Sequence, residues 1–236
     1  ANCRLLDSNE ALFNGAGDGS KHLLILAFES ADHDKTYALA RALEISKDNQ
    51  GIYEEPNQSS DAHRSGSSGN WRNSFIKAPY LRESFTRRGI IQDTFETAIT
   101  WDKSFEFIEN IKEQSAKAIL EITGRPSLVT CRITHSYPDG LAPYFTFGAY
   151  ATPETMIEVW KEIKLSTNEI CISNSGTVTH HHAVGRDHRP NGYDDQRPDL
   201  FNKVLVSAKS SLDPKGIMNP GVLIDPEGKT IENWMS

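Results

Sequence analysis

PSLVTCRITHSYPDGLAPYFTFGAY, residues 126–150, reads as two strands joined by a hairpin-like connection. Alternation after Pro126 places Val129, Cys131 and Ile133 on one face and Thr130, Arg132 and Thr134 on the other. One face is therefore apolar, and the other is wet or functional. YPDGLAP turns the chain, and from Tyr144 to Tyr150 the rings of Phe145 and Phe147 oppose Tyr144, Thr146 and Tyr150.

Upstream, the apolar run within His22–Ser30 predicts a strand. A helical pattern follows from Asp32 to about Lys47, with Tyr37, Leu39, Ala40, Leu43 and Ile45 available to bury. EEPNQSSDAHRSGSSGN, residues 54–70, is polar and aperiodic, which predicts an exposed, mobile loop. Trp71–Arg88 reads as partly helical and Ile90–Ile99 as a strand. The clearest helix carries Asp102 and Glu106 near its first turn and repeats Trp101, Phe105, Ile108, Ile111, Ile119 and Ile122, until Gly124-Arg-Pro stops it.

Downstream, Thr152-Pro153-Glu154 reads as an N-cap with proline at the first helical position, and Met156, Val159, Trp160 and Ile163 form the buried stripe. That helix runs to Asn174, with Gly176 beyond its end, and a last helix spans Pro198–Leu212. Strand pairs joined by long helices predict an α+β fold. Its sheet is mostly antiparallel, with helices on one face and ferredoxin-like elements.

The 236 residues suit one large domain or two small ones, and 37% hydrophobic against 24% charged residues suits a soluble globular chain. A formal charge of −7 excludes a nucleic-acid partner, which needs clustered Lys and Arg. Cys3, Cys131 and Cys171 are odd in number and far apart, so neither a disulfide framework nor a zinc ribbon is expected. A bacterial cytoplasm is the expected home, with a peripheral membrane position left open. NQS at 57–59 fits a glycosylation sequon, but no signal peptide accompanies it, and the abrupt opening ANCRLLD reads as the start of a fragment.

GTVTHHHAVG, residues 176–185, sets three histidines between two glycines. If 177–182 is extended, His180 and His182 face one side and His181 the other. Such a tract could bind a metal, although no H-E-x-x-H or carboxylate cluster accompanies it. Solvated imidazoles are a second reading. In a third, the imidazoles donate to an anionic or electron-rich ring that the glycines let approach. Arg4, Arg82 and Arg132 are candidates for binding an anion through the planar guanidinium fork. Tyr144 could accept a proton only if nearby cations lowered its pKa.

Taken together, PYLRESFTRRGIIQDTFETAITWD (79–102), TCRITHSYPDG (130–140), APYFTF (142–147), GTVTHHHAVGR (176–186) and LDPKGIMNPGVL (212–223) resemble one family. It is the alkyldihydroxyacetonephosphate synthase and bacterial FAD-linked oxidase family of vanillyl-alcohol-oxidase-type flavoproteins. The resemblance implies that residues 1–236 are a C-terminal substrate-binding cap domain, incomplete without an N-terminal FAD-binding domain. It implies FAD as cofactor, a small-molecule or lipid-phosphate substrate, and room for a homodimer.

By the same resemblance, Tyr144 is the general acid/base, Arg82 binds the substrate's phosphate, and Arg4 is required near the flavin. His180, His181 and His182 act in catalysis and in holding the cofactor, and Asn219 joins them in cofactor binding. The implied reaction replaces the acyl group of acyl-dihydroxyacetone phosphate by a fatty alcohol through a flavin N5 adduct. The ending GIMNPGVL is similar instead to bacterial oxidases, which implies oxidation of a 2-hydroxy acid as the alternative. A free-standing module that binds a phosphorylated small molecule is a further one.

Overall fold

The computed structural model describes residues 2–53 and 64–225. The glycosylation sequon and residues 54–63 of the expected loop lie outside the described residues. The chain divides into two compact units, Ala1–Leu81 with Arg132–Ser136, and Arg82–Cys131 with Tyr137–Ser236.

The first unit opens with β1 (Asn2–Leu6), α1 (Ser8–Phe13) and β2 (Leu23–Ala27). Asp7 caps α1, its carboxylate accepting the Glu10 N–H at 2.7 Å. Strand β1 pairs antiparallel with β2, Arg4 opposite Ile25, and on its other side with the strand through Arg132 and Ile133. Leu6, Ala11, Ala16 and Trp71 form the small core, with Leu23 and Ile25 packed on it.

Helix α2 (Thr36–Asp48) buries no residue fully, and Tyr37, expected to pack, is exposed. Helix α3 (Gly66–Thr86) begins inside the stretch expected to be loop. Residues 66–70 are helical because their backbone N–H groups join the ladder, as where Gly69 N donates to Ser65 O at 3.0 Å.

The second unit holds β3 (Ile90–Glu96), β4 (Ile99–Thr100), α4 (Ser104–Thr123), the start of β5 (Val129–Ser136), and β6 (Gly140–Tyr150). Helices α5 (Met156–Ser173), α6 (Asp194–Gln196) and α7 (Asp199–Leu212) complete it. Its strand order is β5-β6-β3, with β4 also on β6, and every pair whose register is defined is antiparallel. The α+β class and antiparallel pairing therefore agree with the expectation.

The period-2 pattern in β6 holds: Phe145, Phe147 and Ala149 are buried, while Tyr144, Thr146 and Gly148 are half-buried. Phe95 of β3 stacks on Phe145 at 5.0 Å between centroids. Helices α4 and α5 pack on each other, α4 against β6 and α5 against β3.

Two helix details differ from the reading of the sequence. In α4 the buried stripe is Phe107, Ile111, Ser115 and Ile119, and Phe105 is 90% exposed. Helix α5 starts at Met156 rather than after Thr152, because Thr152 O accepts Thr155 N–H at 3.1 Å in a separate turn. Gly124, at φ 67°, ends α4 in the left-handed conformation that glycine adopts without strain.

Candidate functional site

In the β3–β6 ladder Glu96 stands opposite Tyr144, and Thr94 opposite Thr146. Directly opposed residues share a face, so these four project away from the face of Phe95 and Phe145. The Tyr144 hydroxyl lies 2.9 Å from Thr94 Oγ1, within hydrogen-bond distance.

The chain leaving α5 returns to the end of β3. Gly176 passes so close that a Cβ there would sit 2.5 Å from Phe107 Cζ and 2.7 Å from Thr97 Oγ1. Only glycine fits that approach. Thr177 N then donates to Ala98 O at 3.2 Å, and Ala98 N donates to Thr177 Oγ1 at 2.9 Å.

These bonds deliver the three histidines over Glu96. The sequence reading treated 177–182 as extended, but 180–182 form a bend whose backbone N–H groups all donate to Glu96 Oε1. The His180 N–H does so at 2.9 Å, and the Thr179 hydroxyl joins them at 3.0 Å. Successive N–H groups converging on one anion form a nest, here filled by the protein's own carboxylate. Glu96 is 0% exposed, and burial alone would raise its pKa. Donation from the His182 and His180 N–H groups, with the imidazoles of His182 and His181 nearby, outweighs burial and holds the pKa below the usual range. Glu96 is thus a buried carboxylate.

Two of the imidazoles flank Tyr144. The His181 ring stacks on it at 5.9 Å and the His182 ring meets it edge-on at 5.2 Å. Nδ1 of His181 lies against Glu96 Oε2, and His180 Nε2 lies 3.0 Å from the Tyr137 hydroxyl. Glu96, His181 and His182 offer ligand atoms within 4.8 Å of one another, the spacing a metal ion needs, although Oε1 already accepts four donors.

Beside His182 opens a cavity of about 370 Å³, lined also by Arg82, Asp93, Thr94, Trp160, Lys164, Gly185, Asp187 and His188. Lys164 is only 3% exposed. It donates to Thr94 O at 2.9 Å and lies 3.7 Å from Asp93 Oδ2, which also accepts Trp160 Nε1–H at 2.7 Å. Burial, aided by Lys164, pushes His182 below its usual pKa, while Glu96 pulls the other way. Burial raises the pKa of Asp187.

His188, 6% exposed with Nδ1 3.2 Å from Asn168 Oδ1, is pushed down to about 4 by burial and then by Lys164. A depressed imidazole is neutral when folded and takes a proton more readily when unfolded. Its contribution is whole above its unfolded value of 6.5 and is lost as pH falls toward about 4. Urea unfolding across that window should lose roughly 3 kcal/mol. His188→Gln should flatten the slope; an unchanged slope would assign the loss to other groups.

The structure thus brings Arg82, Tyr144 and His180–His182 into one unit. Arg4 belongs to the first unit, where its guanidinium lies 4.8 Å from the Trp71 ring centroid. Burial, then the Arg132 charge, lowers its pKa. Arg132, a candidate anion binder, instead pairs with buried Glu10. Asn219 occupies an exposed turn at φ 44°, beside Pro220, whose carbonyl accepts from Arg186 at 2.8 Å.

Residues 1–223 match the family described as FAD linked oxidases, C-terminal domain. The chain belongs to that family. It is 27% identical over 162 residues to an alkyldihydroxyacetonephosphate synthase of Trypanosoma brucei brucei, a match covering 65% of this chain and 25% of the relative. Against the synthase of Caenorhabditis elegans it is 32% identical over 153 residues, covering 62% of this chain and 25% of the relative. A solved alkyldihydroxyacetonephosphate synthase structure superposes with a TM-score of 0.60 at 18% identity, covering 93% of this chain and 38% of that one, and shares the fold. The matches to the curated synthases therefore span only 25% of their length.

Within this FAD-linked oxidase domain, the reading of the sequence missed Glu96, Asp93 and Lys164. A signal for Lys164 was present. Lys164, Thr167 and Asn168 fall in register with Ile163 and Cys171, and all five are buried in α5. Polar side chains on the buried stripe of a helix mark a site that needs them.

Proposed function

We propose that this chain is the substrate-facing domain of an alkyldihydroxyacetonephosphate synthase-type flavoenzyme, joined in the intact protein to a FAD-binding domain. The observation that carries the reading is the cavity beside His182, with Arg82 and Lys164 on its walls and Tyr144 touching Thr94 and His182. The Arg82 guanidinium there suits a phosphate, which it would bind by its planar fork, while Lys164 is held by Thr94 O and Asp93. The Tyr144 phenol then holds or moves a proton at the substrate carbon.

The residues present fit one face of a flavin ring. The triplet's backbone N–H groups are engaged by Glu96, so His180 and His181 offer imidazole edges, supported by Tyr137, and Asn219 adds an amide. Bound FAD supplies the electron-accepting ring beside which the substrate carbon is activated.

The reading is tested by giving the intact enzyme acyl-dihydroxyacetone phosphate and a fatty alcohol. The ether product should form without any electron acceptor being consumed. Flavin bleaching by a 2-hydroxy acid, with no ether product, would assign the chain to the oxidases.

A further inference from the structure

Two basic side chains and two carboxylates line the cavity beside His182, and only one pair is closed. Asp93 lies 3.7 Å from Lys164 and also accepts from Trp160 Nε1–H, while Lys164 donates to Thr94 O. Arg82 and Asp187 stay apart. Among the described residues neither the Arg82 guanidinium nor the Asp187 carboxylate has a hydrogen-bond or ion-pair partner, although both line the cavity. Groups of this kind gather where a ligand completes them.

The backbone around Asp187 is nonetheless fixed. Gly185 turns the chain at φ 56°, the His188 N–H donates to Val184 O at 3.3 Å, and Asn168 Nδ2 donates to Asp187 O at 3.0 Å. The half-buried carboxylate is thus held at the cavity wall by its main chain and left open at its oxygens. Burial raises its pKa, with Lys164 opposing and Asp93 reinforcing, so the ionised form lacks a compensating donor. An ionised carboxylate only accepts, and a cationic ligand would meet the charges of Arg82 and Lys164. A neutral hydroxyl meets neither objection.

We infer that Asp187 is a specificity-determining residue: it accepts a hydrogen bond from an alcohol hydroxyl placed beside the anionic group that Arg82 holds. This deepens the proposed function and rests on its reading of Arg82 as the anion binder. In that reaction the hydroxyl belongs to the incoming fatty alcohol. In the oxidation of a 2-hydroxy acid it belongs to the acid itself.

Titration calorimetry on the intact enzyme tests this without turnover. The probes are glycerol 3-phosphate and propyl phosphate, which share the phosphate and differ in hydroxyls. Wild type should bind glycerol 3-phosphate about 10-fold or more tightly than propyl phosphate, the scale of a hydrogen bond to a charged group. Asp187→Ala should bind the two alike, with propyl phosphate held as in wild type, and Arg82→Ala should weaken both. Asp187→Asn, which keeps the shape and loses the charge, is the second variant and should narrow the preference. An unchanged preference in either Asp187 variant overturns the inference, as does the loss of both probes in a folded Asp187→Ala. Equal binding of the probes by wild type overturns it whether or not the variants fold. If wild type binds neither probe, or Arg82→Ala binds both as before, the reading of Arg82 fails with it.

Kinetics then assign the hydroxyl. In the intact enzyme Asp187→Ala should raise KM for the fatty alcohol about 10–100-fold and leave KM for acyl-dihydroxyacetone phosphate nearly unchanged. Equal rises in both would overturn the inference. If a 2-hydroxy acid bleaches the flavin instead, the increase should fall on its KM. If the intact enzyme makes no ether, the proposed reaction fails while the titration still decides the role of Asp187.

Discussion

Tyr144→Phe in the intact enzyme should cut turnover about 10²–10⁴-fold, the range expected for losing a general acid or base. The substitution removes one oxygen and keeps the ring against which His181 and His182 pack. Only the contact with Thr94 Oγ1 is lost from those described, worth about 0.5–1.5 kcal/mol. The melting temperature should therefore barely move while kcat collapses and KM changes little. Near-normal turnover would remove Tyr144 from the chemistry, and a large fall in melting temperature would make the loss structural.

The second large effect concerns stability. Glu96→Ala removes a fully buried carboxylate that accepts the backbone N–H groups of His180, His181 and His182, leaving those three donors without this acceptor. Deleting one side of a buried charged network costs about 3–5 kcal/mol. That is a large share of the 5–15 kcal/mol typical of a domain. Urea unfolding should show the midpoint shifted far down, or no folded baseline at all. A midpoint close to wild type would mean that other contacts hold the loop.

The pH dependence follows from the depressed pKa of Glu96. A carboxyl whose folded pKa lies below its unfolded value stabilises fully above that value, 4.5, and loses the contribution as pH falls through the folded pKa. His188 loses its share at higher pH, toward about 4. Acid should therefore loosen this region in two steps, with the imidazole charging before the carboxylate is neutralised.

What the sequence made legible had a short period and large side chains. The alternation of Phe145, Phe147 and Ala149 in β6 needs no partner to be read, because each residue reports its own face. Helix α4 was recognised, and Ile111 and Ile119 of its expected stripe are buried, but Phe105 is exposed and Phe107 was missed. Phe105 fits helical spacing as well as Phe107 does, and only the packing of α4 on β6 and α5 selects Phe107. The strand Asn2–Leu6 went unread because five residues carry too little pattern to stand out.

At the site, the histidines were visible by composition and their conformation was not. Glu96 lies 84 positions before His180, in a strand ending where nothing local distinguishes it from a solvent-facing glutamate. Contacts of that span are written in the fold rather than in any motif. Lys164 was open to detection, since a lysine in line with Ile163 and Cys171 contradicts an ordinary amphipathic helix.

The nest around Glu96 is made from peptide N–H groups, which every residue except proline carries. The bend is thus held through backbone atoms at 180–182, while the imidazoles meet Tyr137 and Tyr144. Scaffold and chemistry occupy the same three residues but are encoded in separate atoms. A lineage could exchange the histidines one at a time, and so try new substrates, without rebuilding the loop. The position on which the bend depends is the fully buried Glu96.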